Sequence, residues 1–243
     1  MPKAGQRPPP LAIALAVILL ALMVWPIWTA ARNGLSGLYA RPAIGYLEDK
    51  RFDDYKLSPA EWLAIEKSVA VANKLMPRNP QYLEALGLVH QLGLGLFGDD
   101  LSAEEIDAYT VAAEYYFQRA IASRPTWTYY WGNVALEHYR RGSYATDEYS
   151  QALTNAGRFG PWKNDTQRLV IDLGTETWEF LSNDAKQEVV LSVERGLHRQ
   201  PENTIRIVRS HNASPRLCEA SRRIVSVPLP HLQALCAQET FAK

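Results

Sequence analysis

The chain has 243 residues, 47 % hydrophobic and 21 % charged, which excludes a disordered tail or a collagen-like polymer and allows one compact domain of about 200 residues plus an extra segment. Its 26 basic and 26 acidic side chains cancel to a formal net charge of zero. That balance argues against a nucleic-acid partner, which needs a basic excess to displace counterions from phosphates.

The first predicted element is a membrane span. Residues 11–31 carry no charge, and Leu11, Leu19, Trp25 and Trp28 lie in a run long enough to cross a hydrocarbon core as a helix. Trp25 and Trp28 fall where an aromatic belt meets the outer interface. Residues 1–10, with Lys3 and Arg7, read as a cytoplasmic tail, which places residues 32–243 in the periplasm. The rival is a cleaved signal peptide with Thr29-Ala30-Ala31 as its small-residue site, although the apolar run exceeds the usual signal core. Residues 32–57 read as a juxtamembrane linker.

Residues 58–160 carry a repeat pattern of helical hairpins, with small residues where two helices touch and an aromatic filling the gap beside them. Ser58-Pro59 starts a helix by capping and proline-at-N1 logic, and Trp62, Ile65, Val69 and Ala72 recur at helical spacing up to Pro77. The next unit opens at Asn79-Pro80 with Leu83, Leu86, Gly87 and His90. It continues after an insertion, Gly93–Asp100, read as a flexible inter-helix loop. Ser102 and Glu105 form a capping box before the second helix, which carries Ala113-x3-Phe117-x2-Ala120 and ends at Pro125. A third unit runs through Trp131, Val134, Ala135, His138 and Gly142 to Ala145-x3-Tyr149-x2-Ala152.

Over 161–200 the repeat signature fades while the helical period persists. Leu169, Val170, Leu173, Trp178 and Leu181 mark one helix, and Ala185, Val189, Val190, Val193 and Leu197 another, an atypical further hairpin. Residues 201–243 read as partly irregular, with a short helix over 202–210 and Pro215, Pro228 and Pro230 dividing the rest. Cys218 and Cys236 lack zinc-ligand spacing. They are a disulfide in an oxidising compartment and small apolar residues in a reducing one. The fold class is therefore all-α: a single N-terminal transmembrane helix followed by a tetratricopeptide-like helical-hairpin solenoid.

Several pieces occur in one order: a short tail and one apolar span, then Gly37-Leu38-Tyr39-Ala40-Arg41-Pro42-Ala43, Arg124-Pro125-Thr126-Trp127 leading to Trp131, and Phe159-Gly160-Pro161-Trp162. Over about residues 10–200 this resembles the membrane-anchored VpsP-type polysaccharide biosynthesis proteins of bacteria. The resemblance implies an inner-membrane accessory protein of polysaccharide assembly or export, with protein partners from that machine. It carries over no catalytic residues and no cofactor.

The sequence contains no GxxxxGK[ST], HExxH or GxSxG motif, so no catalytic, cofactor-binding or metal-binding residues are assigned. His90 and His138 occupy equivalent repeat positions, where the ring packs between helices. The acids from Asp99 to Asp107 sit at a helix start, where the dipole favours them. The partner-binding groove is expected on the first helices of the units, at Gln81, Glu84, Leu88, Gln91, Tyr129, Leu136, Tyr139 and Arg140. Three readings follow: a scaffold holding protein segments without catalysis, a module binding the polysaccharide through its aromatic rings, and, ranked last, a carboxylate-dependent hydrolase.

Overall fold

The computed structural model describes residues 9–50 and 57–241. Residues 1–8, in the expected cytoplasmic tail, residues 51–56, in the expected linker, and residues 242 and 243 lie outside the described residues. Within them the chain is all-α, without a strand.

The first helix, α1, runs from Pro10 to Lys50 and is 41 residues long, about 60 Å at the rise of an α-helix. Its side chains from Leu11 to Trp28 are all exposed, so this one helix is long and apolar enough to span a membrane. The expected linker over 32–57 is corrected here, because α1 continues through it to Lys50. Gly34, Gly37, Pro42 and Gly45 are poor helix formers. Tertiary contact overrides them, since Ser36, Ala40, Ala43 and Leu47 form one buried stripe along the distal half of the helix.

That stripe packs on α2 (Pro59–Leu75) and α3 (Pro80–Phe97). Ser58 and Glu61 close a complete capping box at the start of α2, and the Trp62 indole donates to the Val89 carbonyl across 2.8 Å. The distal half of α1 is thus the missing first helix of the opening hairpin. α3 pairs with α4 (Ala103–Ser123), α5 (Thr128–Arg140) with α6 (Asp147–Phe159), and α7 (Asn164–Glu176) with α8 (Asn183–Arg199). The expected flexible insertion is also corrected: α3 stays helical to Phe97, and one 3-10 turn, Gly98–Asp100, leads into the Ser102–Glu105 capping box.

The hairpins stack because small residues let helices approach closely. A Cβ added at Gly87 would stand 2.6 Å from the Phe117 ring, and one at Gly157 would stand 2.6 Å from the Glu188 side chain. Ala113, Phe117 and Ala120 are fully buried, as are Tyr149 and Ala152. Ala145 is not: it sits exposed in the turn before α6, which Thr146 caps, so it lies outside the helix contact expected of it. Gly142, with φ +68°, reverses the chain at that turn, a backbone conformation strained for any residue with a Cβ although the space around it is open.

The end of the chain is more regular than its prolines suggested. α9 (Pro201–Ser210), α10 (Ser214–Arg223) and α11 (Pro230–Phe241) are all helical, each starting on or next to a proline. α9 lies on α7 and α8, while α10 and α11 pack on α8 and on each other. Leu217, Leu229, Leu232 and Leu235 are buried there. A disulfide joins Cys218 to Cys236.

A candidate binding trough on the first helices of the hairpins

The first helices of successive hairpins face one side of the stack. α1 touches α3, and α5, α7 and α9 touch in series. Two hollows open along this face. One, of about 340 Å³, lies between α1, α3 and the corner before α5. It is lined by Ile44, Leu47, Gln81, Glu84, Ala85, Leu88, Arg124 and Trp127. The other, of about 310 Å³, is walled by α3, α5 and α7, through Leu88, Gln91, Tyr129, Gly132, Asn133, Leu136, Asp165, Thr166, Arg168, Leu169 and Asp172.

Six of the eight residues expected on a partner groove lie in the walls of these hollows. Gln81 and Glu84 fall in the first hollow, Gln91, Tyr129 and Leu136 in the second, and Leu88 in both. Their spacing of three and four residues puts them on one helix face. Tyr139 and Arg140 line neither hollow. The Tyr139 hydroxyl donates to Glu176 across 2.6 Å, a bond that together with burial pushes its pKa up to about 12. The Arg140 guanidinium donates to Glu137 across 2.9 Å.

The contribution of α7 is new. Its repeat signature is faint, but Asp165, Arg168 and Asp172 follow the register of Tyr129, Gly132 and Leu136 one hairpin earlier. The charge alternation was the available signal, because solvated polar residues on an otherwise buried helix mark its open face. Asp172 also accepts from His211 at 2.8 Å.

Between α3 and α5 lies a buried polar pair. Glu137 is fully buried, and its Oε1 accepts from Gln91 across 2.6 Å and from Arg140. Its Oε2 has no partner. Burial raises its pKa above the ordinary glutamate value, against the opposing pull of Arg140 and the Gln91 hydrogen bond. Beside it His138 bonds Ser143 at 3.1 Å and stands 3.5 Å from Glu114, which is bridged in turn to Arg141 at 2.8 Å.

The other sequence candidates have local structural partners. His90 stacks on Tyr116 with ring centroids 5.6 Å apart, and burial lowers its pKa. Glu105 is taken up by the cap of α4, and Asp107 pairs with Arg141 at 3.2 Å. Gly93 is buried, and a Cβ there would stand 2.7 Å from the Tyr109 ring. Of the aromatic residues between Tyr109 and Tyr139, Tyr130 is fully buried, with its pKa pushed up to about 12 by desolvation, while Trp131 donates to the Pro125 carbonyl across 2.7 Å. Only Tyr129 and Trp127 reach the hollows. Among the described residues no three His, Cys, Asp or Glu side chains group as a metal site would require.

No protein-family model matches the chain, and no curated protein matches it.

Proposed function

We propose that this protein is a membrane-anchored scaffold of the tetratricopeptide-like kind, whose trough holds an extended or helical segment of a partner protein without a covalent step. The observation that carries the reading is the 310 Å³ hollow on α3, α5 and α7, where apolar Leu88, Leu136 and Leu169 lie among Gln91, Asn133, Arg168 and Asp172. Apolar anchors with spaced hydrogen-bonding groups suit a peptide chain, which presents side chains and main-chain amides together.

In this reading the apolar half of α1 crosses the bacterial inner membrane and the hairpins lie in the periplasm. The Cys218–Cys236 disulfide supports that side, because oxidising compartments sustain such bonds and the cytosol does not. The placement in polysaccharide assembly rests on the resemblance of the sequence.

The test is site-specific photo-crosslinking in cells, with the reactive group at Leu136 or Asp172 in the trough and at the exposed Tyr115 on α4. Trough positions should capture one discrete partner that Tyr115 does not. Equal capture from all three positions removes the trough from the argument.

A second reading is favoured by the walls of the same hollow. Tyr129 offers a ring face beside Gln91, Asn133, Asp165 and Arg168, groups that suit sugar hydroxyls. Tryptophan and tyrosine emission titrated with the polysaccharide distinguishes the two, and a flat titration leaves the protein partner alone.

A further inference from the structure

The membrane anchor and the hairpin stack share one helix, which fixes the end of the stack that faces the bilayer. Arg32, the first charge after the apolar run, donates its Nε to the Leu75 carbonyl at the last residue of α2. One turn further on, buried Ser36 and Tyr82 are 3.1 Å apart, on α1 and the first turn of α3. The corner between α2 and α3 therefore lies level with the point where α1 leaves the apolar run.

Bonds tie the following corners to this one. Arg119 near the end of α4 donates to the Pro77 carbonyl at 3.1 Å, Thr128 at the start of α5 to Ala156 near the end of α6 at 2.6 Å, and Arg199 at the end of α8 to Trp162 at 2.7 Å. One edge of the stack is built from these corners alone.

That edge is basic. Its exposed charges include Lys74, Arg78, Arg124, Arg158, Lys163 and Arg199. Asp165 and Glu202 are the acids in the adjoining first turns of α7 and α9, and those of α3 and α5 hold none. The opposite edge carries Asp99, Asp100, Glu104, Glu105, Asp147 and Glu148, together with Arg140, Arg141 and Arg209 at the ends of α5 and α9.

Helix dipoles explain only half of this pattern. They favour acids at the start of α4 and α6 and bases at their ends, but they equally favour acids at the start of α3 and α5, where there are none. The corners themselves, between α2 and α3 and between α4 and α5, expose Lys74, Arg78 and Arg124, with Glu84 lying one turn further along α3 in the hollow that Arg124 also lines. Tryptophans accompany the bases: the Arg124 guanidinium lies 4.3 Å from the Trp127 ring, and Arg199 lies 5.7 Å from that of the exposed Trp162. Basic residues paired with indole rings are the composition of a membrane interface.

We propose that this corner edge rests on the bilayer surface and binds anionic lipid headgroups, so that the stack stands on the membrane with its trough held at a fixed height. The inference rests on the reading that the apolar half of α1 spans the bilayer. Lys74, Arg78 and Arg124 supply the attraction, which acts only within a Debye length of about 8 Å of the surface at physiological salt. Trp127 and Trp162 supply interfacial rings, and continuity with α1 brings the edge into range without a separate encounter.

The test is amide hydrogen exchange on the full chain reconstituted in nanodiscs of phosphatidylcholine alone or of phosphatidylcholine with phosphatidylglycerol. Peptides over residues 74–80 and 123–128 should exchange about tenfold more slowly in the anionic discs, and the protection should fade at high salt. Peptides over 98–102 should not change. The triple variant Lys74→Gln, Arg78→Gln, Arg124→Gln should lose the protection while keeping the exchange pattern of its core. Equal exchange in both discs, with the chain still disc-bound, overturns the proposal and leaves the anchor standing. A chain recovered outside the discs overturns both.

Discussion

The Arg32 guanidinium reaches the Leu75 carbonyl across 3.1 Å of Nε–O distance, although 43 residues separate the two in the chain. That bond joins the apolar segment to the solenoid. It occupies one of the carbonyls that every helix leaves open in its last turn, and it does so with the first charge after the apolar run. Arg32→Ala should lower the melting temperature of the detergent-solubilised chain by an amount equivalent to about 1–2 kcal/mol, the range for a charge-assisted hydrogen bond at a half-buried site. Arg32→Lys should recover part of it. No change in either variant would mean that the helix end is satisfied by water.

The contact of Gly87 with Phe117 makes a packing prediction. Gly87→Ala adds a methyl where the Phe117 ring already stands, 2.6 Å away, and should destabilise by about 1–3 kcal/mol despite the better helix propensity of alanine. Phe117→Leu frees space, so the double variant should be more stable than the sum of the single losses. A denaturant double-mutant cycle reads the difference, and simple additivity would refute the close contact.

The disulfide holds the last helix. Cys218→Ser with Cys236→Ser should cost about 2–4 kcal/mol, because the bond closes a loop of 18 residues and no longer restricts the unfolded chain once removed. The loss should be local. Amides of α11 should exchange faster while those of α4 and α6 stay protected, and uniform acceleration would show that α11 is integral to the whole stack.

Glu137 predicts a pH effect of definite sign. Its folded-state pKa is raised, so folding favours the protonated form. Below the unfolded pKa, about 4.3, the group is protonated in both states and contributes nothing. As pH rises from there through the raised folded value, ionising the buried carboxyl progressively destabilises the fold. Glu137→Gln keeps an acceptor for Gln91 and Arg140 and removes the buried charge. It should stabilise the protein at pH 7 and lose that advantage below about pH 4 in urea titrations. Glu137→Ala should destabilise at both, since it removes the hydrogen bonds to Gln91 and Arg140 and leaves a cavity where the buried side chain stood.

Local chemistry made most of the helices legible from sequence. Ser58 with Glu61 and Ser102 with Glu105 are capping boxes whose partners lie three residues apart, Asn79 caps α3 by accepting from the Gln81 amide beside Pro80, and Pro201 starts α9 by its fixed backbone geometry. The buried faces of α2, α4 and α8 are written in their period. That Gln81, Glu84, Leu88 and Gln91 share one face of α3, and Tyr129 and Leu136 one face of α5, was readable from their helical spacing. Tyr139 and Arg140 lie outside the hollows, tied to Glu176 and Glu137: the first pairing spans 37 residues and is invisible to local spacing, while the second is an i,i+3 pair that the sequence does show.

The apolar run, the helical class and the capped helix starts were fixed by residues within about two turns of one another. Tertiary structure alone decided that α1 runs on past Gly34, Gly37 and Pro42, that α7 walls the trough, and that the basic corners share one edge. Each of these is decided by contacts between residues dozens of positions apart, as between Ser36 and Tyr82 or Thr128 and Ala156. Local propensity is silent about such pairs, and burial of a continuous stripe outweighs the weak helix preferences of the glycines within it.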